Sequence, residues 1–279
     1  STDLVTVWDN VLNYTTNING HNLDVMLGSS YTHSMWTQSY IAGSHYADGT
    51  IQTLNAANKI DPGSTNTSAS EWAIMSGFAR ISYNYDSRYL ISANFRADGS
   101  SRLAPGHRWA YFPSVSAAWR ISGEPWMQDV EWIDDLKIRG GWGQTGNSNI
   151  GGYAWGSAIS RMPSGLGMGY RPANISNTAI QWESQEQWDV GLALSFLNDR
   201  INLVVDWYKK TSNDMLMSLQ LPSYMGTQGN GSSALAAPKG NYGSIENTGV
   251  EISLNTHPLV GEFQWDSDFQ ISFNKNKLK

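Results

Sequence analysis

Hydrophobic and polar side chains alternate with a period of two along most of the chain. In residues 89–96, for example, Ile91 and Phe95 lie on one face while Ser92 and Arg96 lie on the other. Because successive side chains of a strand point to opposite faces, this alternation predicts strands with one apolar and one polar face. About ten strands are predicted, near residues 4–18, 22–40, 72–84, 88–98, 110–121, 136–142, 182–196, 201–213, 249–257 and 262–275. No helix is predicted beyond a short turn near residues 125–135.

The connections between these strands alternate in length. Tight turns at residues 19–21, 85–87, 197–200 and 258–261 alternate with longer, Gly- and Ser-rich segments, of which 41–71, 143–181 and 214–248 are the longest. Several strands reach the roughly 9–11 residues that cross a bilayer at a tilt. Short turns at one end and long loops at the other are typical of a transmembrane β-barrel. The pattern therefore predicts an all-β, antiparallel barrel with short periplasmic turns and long extracellular loops.

Tyr and Trp crowd the ends of the predicted strands, where a barrel carries its aromatic girdles. The residues are Tyr83, Tyr85, Tyr89, Trp109, Tyr111, Trp142, Trp182, Trp207 and Tyr208. Any one of them is also explained by an ordinary cross-strand pair. The set as a whole favours the barrel.

The composition narrows the class of protein. The 279 residues carry 24 acidic and 18 basic side chains, a net charge of −6 that argues against nucleic-acid binding. No run approaches the ~18 apolar residues of a membrane-spanning helix. The absence of cysteine excludes disulfides and thiolate metal sites. The first residues contain no visible signal peptide, so the chain is expected to be processed or to be part of a longer protein.

Several segments, in order along the chain, resemble the barrel of SusC/RagA-type TonB-dependent transporters. They are 85–90 (YDSRYL), 96–102 (RADGSSR), 111–122 (YFPSVSAAWRIS), 136–147 (LKIRGGWGQTGN), 182–184 (WES), 196–201 (FLNDRI), 206–210 (DWYKK) and 247–251 (NTGVE). Each segment is weak alone, but together they are specific. The resemblance implies about ten strands of a roughly 22-stranded barrel, so that residues 1–279 form part of a barrel domain whose plug and TonB-contacting segment are absent from this chain.

The resemblance also implies a function. Members of the family lie in the Gram-negative outer membrane, mainly in Bacteroidota, in contact with lipid and lipopolysaccharide. They import glycans or peptides together with a SusD-like surface lipoprotein, and the TonB complex supplies the energy through the N-terminal region. A dimer of transporter and lipoprotein pairs is expected. The sequence does not separate a glycan from a peptide substrate.

Two groups of residues are candidates for contact with substrate or plug. The first consists of charged residues on the polar strand faces, predicted to face the lumen because charge on the lipid face is costly; they are Arg96, Arg120, Lys137, Arg139, Asp189, Asp206, Glu251, Asp266 and Asp268. For any one of these residues, a mutual ion pair or a place in the hydrated lining of the lumen is the favoured explanation. The second group consists of aromatic residues expected in the long loops, where rings stack on sugars or bind peptide side chains; they are Trp36, Tyr40, Tyr46, Tyr153, Trp155 and Tyr170.

Catalytic and cofactor chemistry finds no support in the sequence. Residues 98–102 combine a carboxylate, hydroxyls and a guanidinium, but Asp-Gly-Ser is predicted to form a turn there. The five histidines lie far apart, without metal-binding spacing. We therefore expect no enzyme activity, no cofactor and no metal site. Two other functions stay open: a non-transporting surface barrel such as an adhesin, and a soluble carbohydrate-binding β-sandwich, which would have short strands.

Overall fold

The computed structural model describes residues 1–47, 50, 53–61, 64–226 and 235–279. Its strands are, in chain order, β1 (Thr2–Ile18), β2 (His21–Tyr40), β3 (Gly43–Tyr46), β4 (Ala57–Ile60), β5 (Asn66–Tyr85), β6 (Tyr89–Ser100), β7 (Trp109–Arg120), β8 (Ile133–Asn147), β9 (Ile159–Ser164), β10 (Gly167–Pro172), β11 (Glu183–Phe196), β12 (Ile201–Asn213), β13 (Leu216–Ser218), β14 (Lys239–Asn241), β15 (Ser244–Val260) and β16 (Gln264–Leu278). Single 3-10 turns occupy Leu54–Ala56, Ile121–Gly123, Pro125–Met127 and Ser223–Met225. In these described ranges, no helix is long and apolar enough to cross a membrane.

Ten of these strands form one antiparallel sheet in the order β1-β2-β5-β6-β7-β8-β11-β12-β15-β16. Each strand pairs with the next main strand along the chain, so the sheet is a meander, and its edges are not joined into a closed barrel. The ten predicted strands and their order are confirmed. The structure extends them with polar residues that carry no alternation: β5 begins at Asn66 and β15 at Ser244. The soluble sandwich is wrong, because these strands are 12 to 20 residues long and belong to one sheet.

The connections are sorted by length between the two ends of the sheet, as predicted. The short-turn end carries the connections 19–20, 86–88, 121–132, 197–200 and 261–263. The long-loop end carries 41–65, 101–108, 148–182 and 214–243, which include the small hairpins β3/β4, β9/β10 and β13/β14. The tightest turn follows from its sequence: Asn19 and Gly20 have φ of 50° and 83°, the conformation of a two-residue hairpin that Asn-Gly favours.

Cross-strand register gives the sheet one apolar and one polar face. A row across six strands on the apolar face is Val25, Ile81, Ala93, Val115, Trp142 and Trp188. The adjacent row on the polar face is Asp24, Ser82, Ser92, Ser116, Gly141 and Asp189. Large side chains of the apolar face are exposed, including Leu12 at 69% and Trp8 at 68%. Such a continuous exposed apolar surface requires a nonaqueous neighbour.

The buried core lies under the long loops instead of inside the sheet. Leu103, Ala104 and Ile180 have no exposed surface, and Ile150 is 9% exposed. These residues come from the connections 101–108 and 148–182, and Leu216 packs against them from the connection 214–243. The core therefore ties three loops together above the polar face.

A cluster of charged and aromatic side chains lies at the short-turn end. The carboxylate of Glu124, 6% exposed, accepts hydrogen bonds from Tyr89 Oη (2.5 Å), Trp119 Nε1 (3.0 Å) and Arg88 Nη1 (3.1 Å). Arg88 also pairs with Asp86 at 3.1 Å. The hydrogen bonds from Tyr89 and Trp119, helped by the Arg88 charge, hold the pKa of the Glu124 carboxyl below its usual value.

Of the turn predicted over residues 98–102, Ser101 and Arg102 do form a turn, whereas the prediction is wrong for Asp98, Gly99 and Ser100. These last three residues continue β6 and pair with Met75, Ser76 and β7, and Gly99 has no positive φ. The chain turns at Ser101 and Arg102, directly after β6, and Gly106 supplies the positive φ of 90° further along the same loop. The local Asp-Gly signal is overridden by pairing with two neighbouring strands, whose ladder bonds the turn would lose.

Candidate functional site

A cavity of about 480 Å³ opens on the polar face at the long-loop end. Two indole rings line it: Trp36 from β2 and Trp72 from β5. Asp3 and Ser34 add polar groups from β1 and β2, and residues 149–152 cover it from the third connection of the long-loop end. Aromatic walls with a few polar groups are the usual composition of a ligand site.

Arg102 is the basic group of this cavity, whose lining also includes the carboxylate of Asp3. Its guanidinium carbon lies 4.1 Å from the centroid of the Trp72 ring, a close cation–π contact. Nη1 donates a hydrogen bond of 3.1 Å to the Asn149 side-chain oxygen, whereas Nε is buried and lacks a partner. Burial lowers the pKa of the Arg102 guanidinium, which still carries its proton at neutral pH. Among the described residues, no carboxylate forms an ion pair with it.

The loop fixes this side chain from both sides. Ser101 exchanges two hydrogen bonds with Ala73 on β5: its backbone N–H donates to the Ala73 carbonyl (2.9 Å), and its hydroxyl accepts from the Ala73 N–H (2.8 Å). On the other side, Leu103 is fully buried in the loop core. The guanidinium is thus held over Trp72 by a loop that is hydrogen-bonded to β5 and packed into the loop core.

The six predicted loop aromatics do not form one site. Trp36 lines the cavity but belongs, with Tyr40, to β2, so the assignment of these two residues to a loop is wrong. Trp155 packs against the loop core. Tyr153 and Tyr170 are 64% and 71% exposed, while Tyr46 lies in the short hairpin β3/β4. Contact of any of them with substrate stays a prediction.

The nine predicted charged residues all lie on the polar face by register. The ion pairs among the described residues include Arg96 with Asp98 (2.8 Å), Arg120 with Asp135 (2.6 Å), Arg139 with Asp206 (2.7 Å) and His257 with Asp266 (2.6 Å). Asp268 accepts a hydrogen bond from Asn255. Mutual pairing therefore accounts for several of these charges. Whether they also contact a plug or substrate stays a prediction.

A second cavity on the polar face lies nearer the short-turn end. It has a volume of about 470 Å³, and Lys137, Arg139 and Asp189 are among its lining residues. Leu90, Ala117 and Ala118 add an apolar floor. This part of the polar face therefore offers both charge and apolar surface to a neighbouring segment of protein.

The cavity at the long-loop end is called the upper cavity below, and the one nearer the short-turn end the lower cavity. Sequence reasoning missed three residues of the upper cavity as site residues: Trp72, Arg102 and Asn149. Arg102 was assigned to a turn. One signal was present for Trp72, which occupies a polar-face position of its strand, opposite Ser34. A tryptophan among serines at such positions indicates a contact other than lipid.

Comparison with known proteins agrees with this architecture. The family model described as TonB dependent receptor-like, beta-barrel matches residues 1–277. A TonB-dependent receptor of Formosa agariphila is 33% identical over 276 residues, and TonB-dependent receptor SusC of Bacteroides thetaiotaomicron is 33% identical over 285 residues. These alignments cover 97% and 95% of this chain but only 26% of each relative. The chain thus spans about a quarter of the length of these relatives.

Solved structures give the same fold. The RagAB peptide importer in its closed-closed state matches with a TM-score of 0.86 and 26% identity, over 99% of this chain and 30% of that one. The siderophore receptor PirA of Pseudomonas aeruginosa matches with a TM-score of 0.61 at 12% identity, over 98% and 45%, a likeness of fold alone. The meander, its two-faced strands and the family match together establish that this chain belongs to the TonB-dependent receptor-like β-barrel family.

Proposed function

We propose that this chain forms part of the wall of an outer-membrane transporter that imports glycans or peptides with energy from TonB. The observation that carries the proposal is the division of one ten-stranded sheet into an exposed apolar face and a charged polar face. Lipid against the first face and a lumen behind the second satisfy both surfaces. The long-loop end is then extracellular and the short-turn end periplasmic.

The proposed partners follow from the same orientation. A SusD-like lipoprotein covers the long-loop end, where the β9/β10 hairpin exposes Ile159, Leu166 and Tyr170. A plug, together with the TonB-contacting segment that follows from the family, lies against the polar face. The lower cavity with Lys137, Arg139 and Asp189 supplies charged and apolar contacts for such a plug. Two transporter and lipoprotein pairs form the dimer.

The upper cavity is the proposed substrate contact of this wall. The Trp36 and Trp72 rings offer flat faces for sugar rings or apolar side chains. Arg102, which forms no ion pair among the described residues, offers donors to substrate carboxylates, carbonyls or hydroxyls. Both glycans and peptides carry such groups. RagAB is a peptide importer, which favours testing peptides first.

The first experiment tests location and partnership. The full-length parent protein, extracted from its native membrane, is expected to fractionate with the outer membrane and to migrate on gels as a heat-modifiable barrel. A lipoprotein is expected to copurify. Recovery as a freely soluble protein would contradict the proposal, and a full-length barrel without a plug would favour the non-transporting surface barrel.

The second experiment assigns the substrate class. Purified full-length transporter with its lipoprotein is titrated by calorimetry with defined oligosaccharides and with defined peptides. Binding of one class that is weakened by Trp72→Ala, with unchanged heat-modifiable migration, supports the upper cavity as a substrate contact. Trp126→Ala serves as the matched control, because Trp126 is an exposed tryptophan in the connection 121–132 at the short-turn end, outside this cavity. Equal binding by the Trp72 variant and the parent would remove the cavity from the substrate path.

A further inference from the structure

The apolar face of β16 ends in a run of lysines at the long-loop end. Phe269, Ile271 and Phe273 are followed at the same two-residue spacing by Lys275, Lys277 and Lys279. Because side chains two residues apart in a strand share a face, the three lysines continue the apolar face beyond its aromatic residues. Register confirms the level of the boundary: Phe273 pairs with Val250, whereas Lys275 pairs with Thr248.

A fourth lysine joins this run from β12. Lys209 pairs with Thr248 on one side and with Trp188 on the other, so it lies in the same row as Lys275. Its ammonium group lies 3.2 Å from Glu246, which also binds Lys279 at 2.5 Å. These residues define the lysine patch, which consists of Lys209, Lys275, Lys277 and Lys279, and Glu246 is the carboxylate that forms ion pairs with it.

Glu186 is a second nearby carboxylate, so two negative charges face the four lysines. Glu186 accepts hydrogen bonds from the indole N–H groups of Trp142 (2.8 Å) and Trp188 (3.0 Å). These two rings lie in the row of Lys209 and Lys275. Tryptophans at this level, with apolar residues on one side and lysines on the other, indicate the polar boundary of a membrane.

The patch is also confined to one part of the wall. In the ten main strands, which lie wholly within the described ranges, the lysines and arginines on the apolar face are Lys209, Lys275 and Lys277, and Lys279 directly follows β16. Arginines of the polar face, by contrast, are mostly paired with aspartates. An unbalanced positive cluster at a headgroup level requires anions from outside the sheet.

We propose that the lysine patch binds the phosphate groups of a phosphorylated glycolipid in the outer leaflet. The inference rests on the proposed orientation, in which the long-loop end is extracellular. Phosphate is the matching ligand because lysine ammonium groups form strong charge-assisted hydrogen bonds with it. The apolar rows below the patch, from Phe273 to Val250 and Trp207, would contact the acyl chains of the same lipid.

The test uses the full-length transporter in detergent and compares bisphosphorylated lipid A with enzymatically dephosphorylated lipid A by native mass spectrometry. A triple variant carries Lys209→Gln, Lys275→Gln and Lys277→Gln. At about 1 kcal/mol, or fivefold, for each lysine near an anionic surface, the variant should bind lipid A roughly a hundredfold more weakly. Dephosphorylation should weaken binding to the parent to a similar extent.

Lys210→Gln is the matched control. Lys210 is adjacent to Lys209 but pairs with Gln187 and Asn247 on the polar face, so lipid binding should not change. Equal binding of both lipids by a folded, heat-modifiable barrel would overturn this inference alone, as would full competition by millimolar inorganic phosphate. Failure of the barrel to fractionate with the outer membrane would instead overturn the proposed function.

Discussion

The two ends of the sheet differ in whether a half-buried arginine forms ion pairs with carboxylates. At the short-turn end, Arg88 lies 3.1 Å from both Glu124 and Asp86, so its charge is neutralised within the fold. At the long-loop end, Arg102 contacts an indole ring and one amide oxygen and forms no ion pair among the described residues. The Nε of each arginine is buried without a partner, so the two differ in their carboxylate contacts. A compensated charge stabilises the fold, whereas an uncompensated one costs stability and remains available to a ligand.

The two ends also differ in what holds them. The short-turn end relies on hydrogen bonds to Glu124 and on stacked rings such as Tyr89 and Trp119, 6.4 Å apart. The long-loop end relies on the small apolar core around Leu103 and Ile180. A loosening of one end should therefore leave the other intact, and this independence is the property that the variants below test.

The largest effect is expected for Leu103→Ala. Removing a fully buried leucine costs about 2–5 kcal/mol, and here the loss falls on the loop core. Hydrogen exchange of the full-length protein should accelerate in residues 101–108 and 148–182 and stay unchanged at the short turns. Leu166→Ala is the control, because Leu166 is fully exposed at a hairpin in the same region. Accelerated exchange at both ends would show that they are coupled.

Loss of the unpaired arginine should affect binding more than stability. Arg102→Gln removes the donors that face the cavity and relieves a buried, unpartnered Nε. We expect roughly tenfold weaker substrate binding, the equivalent of about 1.4 kcal/mol, with an unchanged heat-modification temperature. Calorimetry with the substrate identified for the parent measures the first, and gel migration the second. Arg200→Gln is the control, because Arg200 is exposed in the short turn 197–200, away from the cavity and from the proposed lipoprotein contact. A destabilised barrel with unaltered binding would mean that Arg102 stabilises the fold instead of binding substrate.

The strand pattern was readable in the sequence because lipid and lumen impose it residue by residue. Each strand must present apolar groups to one side and polar groups to the other, so alternation alone located all ten main strands and their faces. The ends of β5 and β15 at the long-loop side consist of polar residues without alternation. The sequence pattern therefore did not predict where these two strands begin. The hairpins β9/β10 and β13/β14 lie in the loops, where this alternation is not imposed, so the sequence pattern did not predict them either.

The upper cavity was not readable because its residues meet only through tertiary structure. Trp72, Arg102 and Asn149 come from β5 and two separate loops, and their proximity depends on the burial of Leu103. The spacing of these residues along the sequence does not indicate that they lie close together. The turn wrongly assigned to Asp98-Gly99-Ser100 shows the converse, since a local signal there yields to strand pairing on both sides.

A pH titration should separate the two ends by a smaller effect. The pKa of Glu124 is lower in the folded than in the unfolded chain, so its contribution is present above the unfolded value of about 4.3 and is lost as pH falls through the folded value. The heat-modification temperature should therefore drop on acidification below about pH 4.3. In Glu124→Gln this part of the drop should be absent. Equal profiles for parent and variant would remove Glu124 from the acid response.

The smallest effect is expected for Arg80→Gln on the polar face. Arg80 meets Asp24 in a single contact of 3.5 Å, and the two side chains are 44% and 35% exposed. Asp24 keeps a second donor, the Thr15 hydroxyl at 2.8 Å. Water screens such a pair, so unfolding of the full-length barrel in urea should change by about 0.5 kcal/mol or less. A larger loss would mean that lumen-side ion pairs stabilise the wall as the Glu124 cluster does, and the contrast between compensated and available charge would then no longer follow the two ends.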